Sequence, residues 1–277
     1  VAPRNPVVFR TGPDASLNSL ALKLSGIDKN FRVTDGKPCL VERDENGEPT
    51  GILRSCARFI KYKPSTRQPT FDERLERLKM LLADYNSVGL TSICDGNTGD
   101  DAFELYRRLY ETGQLTCRVF INLELNAQLP MEQIEARIKK AAENPYHQYN
   151  NMLWLRGVKS FLDGGMLTGS AYMLQPWGVS KVYSITDPNY RGMLYIQPDK
   201  LYQIMKMALA HDLQFTAHSV GDGAVTAFID AAERINKNDF PVRDKRPCIT
   251  HANFHTPDTV RRMAELGVVA NMQPAWL

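Results

Sequence analysis

The sequence predicts an α/β fold: an incomplete (β/α)8 TIM-like barrel of about six βα units, preceded by an N-terminal α+β segment. Three observations carry that expectation. From Thr70 onward, short apolar runs alternate with amphipathic stretches of helical period. Repeated βα units with right-handed crossovers build a parallel sheet or barrel. Several of the runs end in residues that can bind a metal or move a proton, at the strand ends where such folds bind ligands. Residues 1–70 depart from the pattern, so the chain is expected to divide into an N-terminal segment, 1–70, and a partial barrel, 71–277.

In the first segment, Val7-Val8-Phe9 reads as a strand and Gly12-Pro13-Asp14 as a turn. Ser16 to Ser25 reads as a short helix ended by Gly26. Cys39–Arg43 and Gly51–Arg54 flank Asn46-Gly47, a hairpin signal. Lys61 to Pro69, polar and with two prolines, reads as a loop. Thr70 with Glu73 forms a capping box for a helix to about Ser87, with Leu75, Leu78, Leu81 and Leu82 on one face. Gly89 ends that helix, and Leu90–Cys94 is a strand finishing at Asp95-Gly96. Helices over about Asp100–Thr112, Met131–Ala142, Pro198–His211, Gly223–Asn236 and Pro257–Leu266 alternate with strands at Cys117–Leu123, around Lys159, around His218, around His251 and at Val268–Met272. That makes six strands where a closed barrel has roughly eight. Both ends read as cut, and the expectation is either that the termini were removed or that the chain is the middle of a larger protein.

Composition narrows the function classes. Apolar and charged fractions are ordinary for a globular protein, and a net charge of +3 is too small to argue for nucleic acid. No apolar run is long enough to span a bilayer, and no signal-peptide pattern opens the chain. The expected partner is a small-molecule substrate, with no nucleic acid and no membrane; self-association as a homodimer is the one protein partnership allowed for. Five cysteines, odd in number and without a CxxC pair, argue against a disulfide scaffold or a Cys-rich zinc site and for reduced thiols in a cytoplasm. Cys94 and Cys248 read as small buried hydrophobes.

On this fold Asp95, Lys159, Asp163, His218 and His251 lie at strand ends. Imidazole is a good ligand for zinc, iron or manganese, but catalytic zinc usually has about three protein ligands. Other readings stand beside the functional one. Lys159 fits a snorkelling or salt-bridged lysine, Asp163-Gly164-Gly165 an ordinary turn, and Asp222 a cap for the next helix. Tyr172, Trp177 and Tyr183, in the long loop after the Lys159 strand, either line a substrate pocket or pack the loop. His147, His211 and His255 read as surface residues. No GxSxG, GxGxxG or Walker sequence is present.

The strings Gly157-Val-Lys-Ser-Phe-Leu-Asp-Gly164, Ala217-His-Ser-Val-Gly-Asp-Gly-Ala224, Thr250-His-Ala-Asn253 and Asn271-Met-Gln-Pro274 resemble the amidohydrolase superfamily. They are most similar to amidohydrolase family 3, the subgroup with YtcJ-like and N-substituted formamide deformylase-like members. Asn18-Ser-Leu-Ala-Leu22, Gly47-Glu-Pro-Thr-Gly-Ile-Leu53 and Gly89-Leu-Thr-Ser92 also resemble it, in the same order along the chain. The resemblance implies a metal-dependent hydrolase of amide, formamide or cyclic amide C–N bonds, holding one or two divalent ions, expected as zinc. It implies Lys159, open to carbamylation, with His218 and His251 as metal ligands. It also implies a His-X-His pair on the first barrel strand and a catalytic Asp on the last, neither of which this sequence contains. Where the family often has a His ahead of its Asn-Ser, this chain has Pro13 or Asp14. Asp163 and Asp222 are expected to support catalysis by holding the Lys159 and His218 loops, and Tyr172 and Trp177 to touch substrate. The chain alone is expected to be inactive. A non-catalytic binding or regulatory relative, and a metal-free barrel enzyme using Asp95 and Lys159, are the rival readings.

Overall fold

A computed structural model describes residues 2–61 and 67–274. Two compact units emerge: Val1–Ser65 with Asp163–Tyr195 and Val220–Ala224, and Thr66–Leu162 with Ile196–Ser219 and Val225–Leu277. Residues 62–66, the centre of the expected Lys61–Pro69 loop, lie outside the described residues.

In the first unit, β1 (Val8–Thr11) and β2 (Asp14–Leu17) form one hairpin, α1 (Ser19–Ser25) follows, and β3 (Leu40–Arg43) and β4 (Pro49–Arg54) form another. The sheet order is β1-β2-β4-β3, antiparallel throughout. β2 corrects the expected helix start at Ser16. Ala15 and Leu17 point into the core while Ser16 faces out, a two-residue period that suits a strand. The helix begins only after Asn18, whose side chain accepts the Ala21 N–H, and it ends at Gly26 in the left-handed conformation. Gly51 has a φ of +103°, and a Cβ there would lie 2.3 Å from the Leu17 carbonyl, so only glycine lets β4 approach β2.

Ala15, Leu17, Leu22, Ile27, Leu53 and Ile60 form the core of this unit. Cys39 and Cys56 are joined by a disulfide, which overturns the expectation of five reduced cysteines. The pairing follows from the hairpin: Leu40 lies opposite Arg54, so the residues just outside the paired segment approach each other. Residues 163–195 form an irregular strap. Its buried tie is Asp14, whose carboxylate accepts the Ser55 N–H at 2.7 Å, the Ser170 hydroxyl at 2.7 Å and the Thr168 hydroxyl.

The second unit alternates α2 (Phe71–Ser87), β5 (Ser92–Thr98), α3 (Asp100–Glu111), β6 (Arg118–Glu124), α4 (Met131–Ala142), β7 (Leu153–Phe161), α5 (Pro198–Ala210), β8 (Gln214–Ser219), α6 (Asp222–Asn238, counted here from Val225 onward), β9 (Cys248–His251), α7 (Pro257–Leu266) and β10 (Val269–Asn271). The six strands pair in parallel in simple sequential order, β5 to β10, as a curled part-barrel sheet. Thr70 and Glu73 form the expected capping box. Of the predicted apolar face of α2, Leu82 is buried, Leu75 and Leu78 are half-buried, and Leu81 is exposed. The central strands are buried on both sides, with Leu153, Leu155, Val158, Phe215, Ala217 and Ile249 inaccessible, as parallel strands under helices require. Gly157 is fixed by that packing: a Cβ there would sit 2.0 Å from the Gln214 carbonyl of β8. Among the described residues no helix is long and apolar enough to cross a membrane.

Candidate metal centre

β7, β8 and β9 position the three predicted ligands, all within the second unit. Register places Lys159 beside Thr216, Phe161 beside His218, and Ser219 beside His251. Neighbours in register share a face and successive residues alternate. Lys159, Phe161 and His218 therefore share one face. By strict alternation His251 would fall on the other. It does not, because the strand breaks there: His251 has a φ of +86° and Ala252 one of +48°, and the His218 and His251 rings meet edge to face with centroids 4.6 Å apart. A positive φ at a non-glycine residue is a costly conformation of the kind that gathers at functional sites.

Lys159 is 4% exposed, and its ammonium lies 5.0 Å from the centre of the Phe161 ring. Phe161 packs in turn on His218, with ring centroids 5.5 Å apart. Burial lowers the Lys159 pKa to about 8, against a weaker opposing pull from Cys248 and Cys94. Burial also lowers His251, and Lys159 adds to that lowering, while a hydrogen bond from the ring to Gln273 works the other way. The Nδ1 of His251 lies 2.6 Å from the Gln273 Oε1. The donor set fits part of a metal centre: two imidazoles in contact, and a lysine whose neutral form burial favours. Among the described residues no group of three or more His, Cys, Asp or Glu side chains adds to it.

The other predicted site residues lie in the first unit. Asp163 is 1% exposed and accepts three backbone N–H groups, from Tyr172 at 3.0 Å, Val220 at 2.9 Å and Gly221 at 2.8 Å. Burial raises its pKa to about 7, and those three N–H donors pull it down. The Asp222 carboxylate accepts the Leu174 N–H at 2.8 Å. Tyr172 packs its ring against Gly223, where a Cβ would meet the ring at 2.8 Å. Trp177 donates from Nε1 to the Ala171 carbonyl at 2.9 Å and packs on Tyr183. All four thus organise the strap.

Asp95, back in the second unit, accepts the Tyr106 hydroxyl at 3.2 Å. His147, expected at the surface, is half-buried with Nδ1 3.0 Å from the Leu155 carbonyl, whereas His211 and His255 are exposed. Cys94 is exposed rather than buried, and Cys248 is buried as expected. Phe161 and Gln273 are additions that residue type alone did not single out, although both lie within the quoted motif strings.

The Amidohydrolase family model matches residues 1–277. Protein LONG AFTER FAR-RED 3 of Arabidopsis thaliana is 27% identical over 99% of this chain and 46% of its own length. Putative amidohydrolase YtcJ of Bacillus subtilis is 24% identical over 94% of this chain and 45% of its own length. An uncharacterized metal-dependent hydrolase from Pyrococcus furiosus shares the fold, with a TM-score of 0.63 at 22% identity, over 99% of this chain and 51% of that one. The chain therefore spans about half the length of the curated relatives it matches. Matched by the family model from residue 1 to residue 277, the chain belongs to the amidohydrolase family.

Proposed function

We propose that this chain contributes the later ligands of a metal-dependent hydrolase that cleaves a C–N bond in an amide, formamide or cyclic amide. The observation that carries the reading is the contact of the His218 and His251 rings at 4.6 Å, achieved through a left-handed residue at the end of β9. His218 and His251 would hold the ion, with Lys159 as the third ligand. Because burial brings Lys159 to about 8, a useful fraction of its amine is neutral near physiological pH. That neutral amine can add to CO2 and release a proton, leaving an anionic carbamate oxygen as donor. The chemistry that a divalent metal, zinc by expectation, supplies when bound here is polarisation of the scissile carbonyl and activation of water near neutral pH.

Asp163 and Asp222 act at one remove, by fixing the strap and the turn after β8 through backbone N–H groups. The remaining donors and the general base, implied as a first-strand His-X-His and a last-strand Asp, would be supplied outside the described residues.

The test is hydrolysis of a panel of N-substituted formamides, acyclic amides and cyclic amides by the intact gene product. Activity on one of these classes is expected to vanish on chelation and return with zinc. Hydrolysis that survives complete metal removal would contradict the proposal.

A further inference from the structure

We propose that Gln273 is a positioning residue for His251: its side-chain carbonyl holds the imidazole in the Nδ1–H tautomer and so makes Nε2 the ring nitrogen that faces a divalent cation. The inference rests on the metal-centre reading for its purpose, but the tautomer itself can be measured without any metal.

Gln273 follows β10, whose Asn271 lies in register with Thr250, the residue before His251. The edge strand of the sheet thus delivers Gln273 to the end of β9. Its amide orientation is set by its own second contact: Nε2 points to the Asn271 carbonyl at 3.4 Å, which leaves Oε1 towards the imidazole. The Oε1–Nδ1 separation is 2.6 Å. A carboxamide oxygen can only accept, so the imidazole nitrogen must donate, and in a neutral ring the other nitrogen then carries the lone pair.

The backbone alone does not settle where the ring points. The Ala252 N–H is tied to the Ser219 carbonyl at 3.0 Å, which fixes the chain just after His251 but not its side-chain rotation. The Gln273 contact at one edge of the ring and His218 at 4.6 Å restrict that rotation. Gln273 supplies the outer hydrogen bond by which ligating histidines are generally held in one tautomer and orientation. It is an uncharged acceptor, so it orients the ring without adding a negative charge.

The experiment uses the 277-residue chain, 15N-labelled, with its histidine ring nitrogens observed by long-range 1H–15N NMR and His251 assigned with His251→Gln. Unaltered protein is expected to show His251 protonated at Nδ1. Gln273→Leu should lose that preference, and Gln273→Glu, which keeps an acceptor, should retain it. Titration with Zn2+ should show affinity about 10–100-fold weaker in Gln273→Leu and largely restored in Gln273→Glu. Gln273→Asn, which withdraws the acceptor with the least change in shape, guards against a Leu variant that fails to fold and should behave as Leu does.

An Nδ1–H tautomer that persists in both Gln273→Leu and Gln273→Asn would overturn the proposal. So would a Zn2+ affinity equal to that of the unaltered chain in both variants. A tautomer that responds in a chain that binds no Zn2+ would uphold the role of Gln273 while counting against the metal-centre reading, so the two can fail separately.

Discussion

At the scale of single residues, Lys159 is the side chain whose placement is hardest to explain by stability. Its folded-state pKa is about 8 against an ordinary 10.5. Between those values the unfolded chain binds more protons than the native one, so the penalty is complete below about pH 8 and is relieved as pH rises towards about 10.5. The difference corresponds to about 3 kcal/mol. Lys159→Met should therefore stabilise the metal-free chain at pH 7 by about 3 kcal/mol, and should flatten the gain otherwise seen between pH 8 and 10.5. Urea unfolding at a series of pH values measures both, and a destabilised Lys159→Met chain would make the lysine structural. Asp163 is the opposite case. Three buried N–H groups converge on its carboxylate, and Asp163→Ala would strand them all. A loss of more than about 2 kcal/mol is expected, because each stranded buried donor costs about 1–3 kcal/mol. An unfolding midpoint equal to that of the unaltered chain would show that water replaces the carboxylate.

At the scale of elements, the strands and helices of the second unit were legible because each signal is local. The Thr70–Glu73 capping box, the apolar runs of β6 to β9 and the Gly89 stop after α2 each depend on neighbours within one turn or one strand. What the sequence hid depends on distant partners. β2 is a strand because β1 and β4 flank it, although its residues fit the start of a helix equally well. The strap was read as a loop, but its company in the first unit is set by Asp14 and Asp163, and no pattern in the sequence links those positions.

The disulfide lies between these cases. The hairpin was visible, and extending its register by one pair would have brought Cys39 beside the residues around Cys56; the odd cysteine count drew attention away. Its loop of 17 residues implies about 3 kcal/mol from the restricted unfolded chain. Reduction, or Cys39→Ser with Cys56→Ser, should lower the stability of the first unit by roughly that amount, read from its unfolding midpoint with and without reductant. Free thiols at both positions in protein purified under oxidising conditions would refute the pairing. Disulfides persist in oxidising compartments, so the pairing weighs against the cytoplasmic placement that the cysteine spacing favoured. The site follows the same rule: Lys159, His218 and His251 were readable as strand-end residues, while the left-handed turn that brings His251 to His218 was not.

At the scale of the whole molecule, the six-stranded sheet and the family match agree on a barrel hydrolase lineage, and the chain covers about half of the relatives it matches. On the proposed reading, two imidazoles and one lysine would be the later part of a ligand set. The central claim is that His218 and His251 hold a divalent metal with Lys159. The most direct test is the metal content of the intact gene product by elemental analysis, unaltered and as His218→Ala, His251→Ala and Lys159→Met. Stoichiometric metal, expected as zinc, should be present in the unaltered protein and fall well below one ion per chain in each histidine variant, with a partial loss in Lys159→Met. Metal retained at full stoichiometry in both histidine variants, or absent from the unaltered protein after growth with excess zinc, would contradict it.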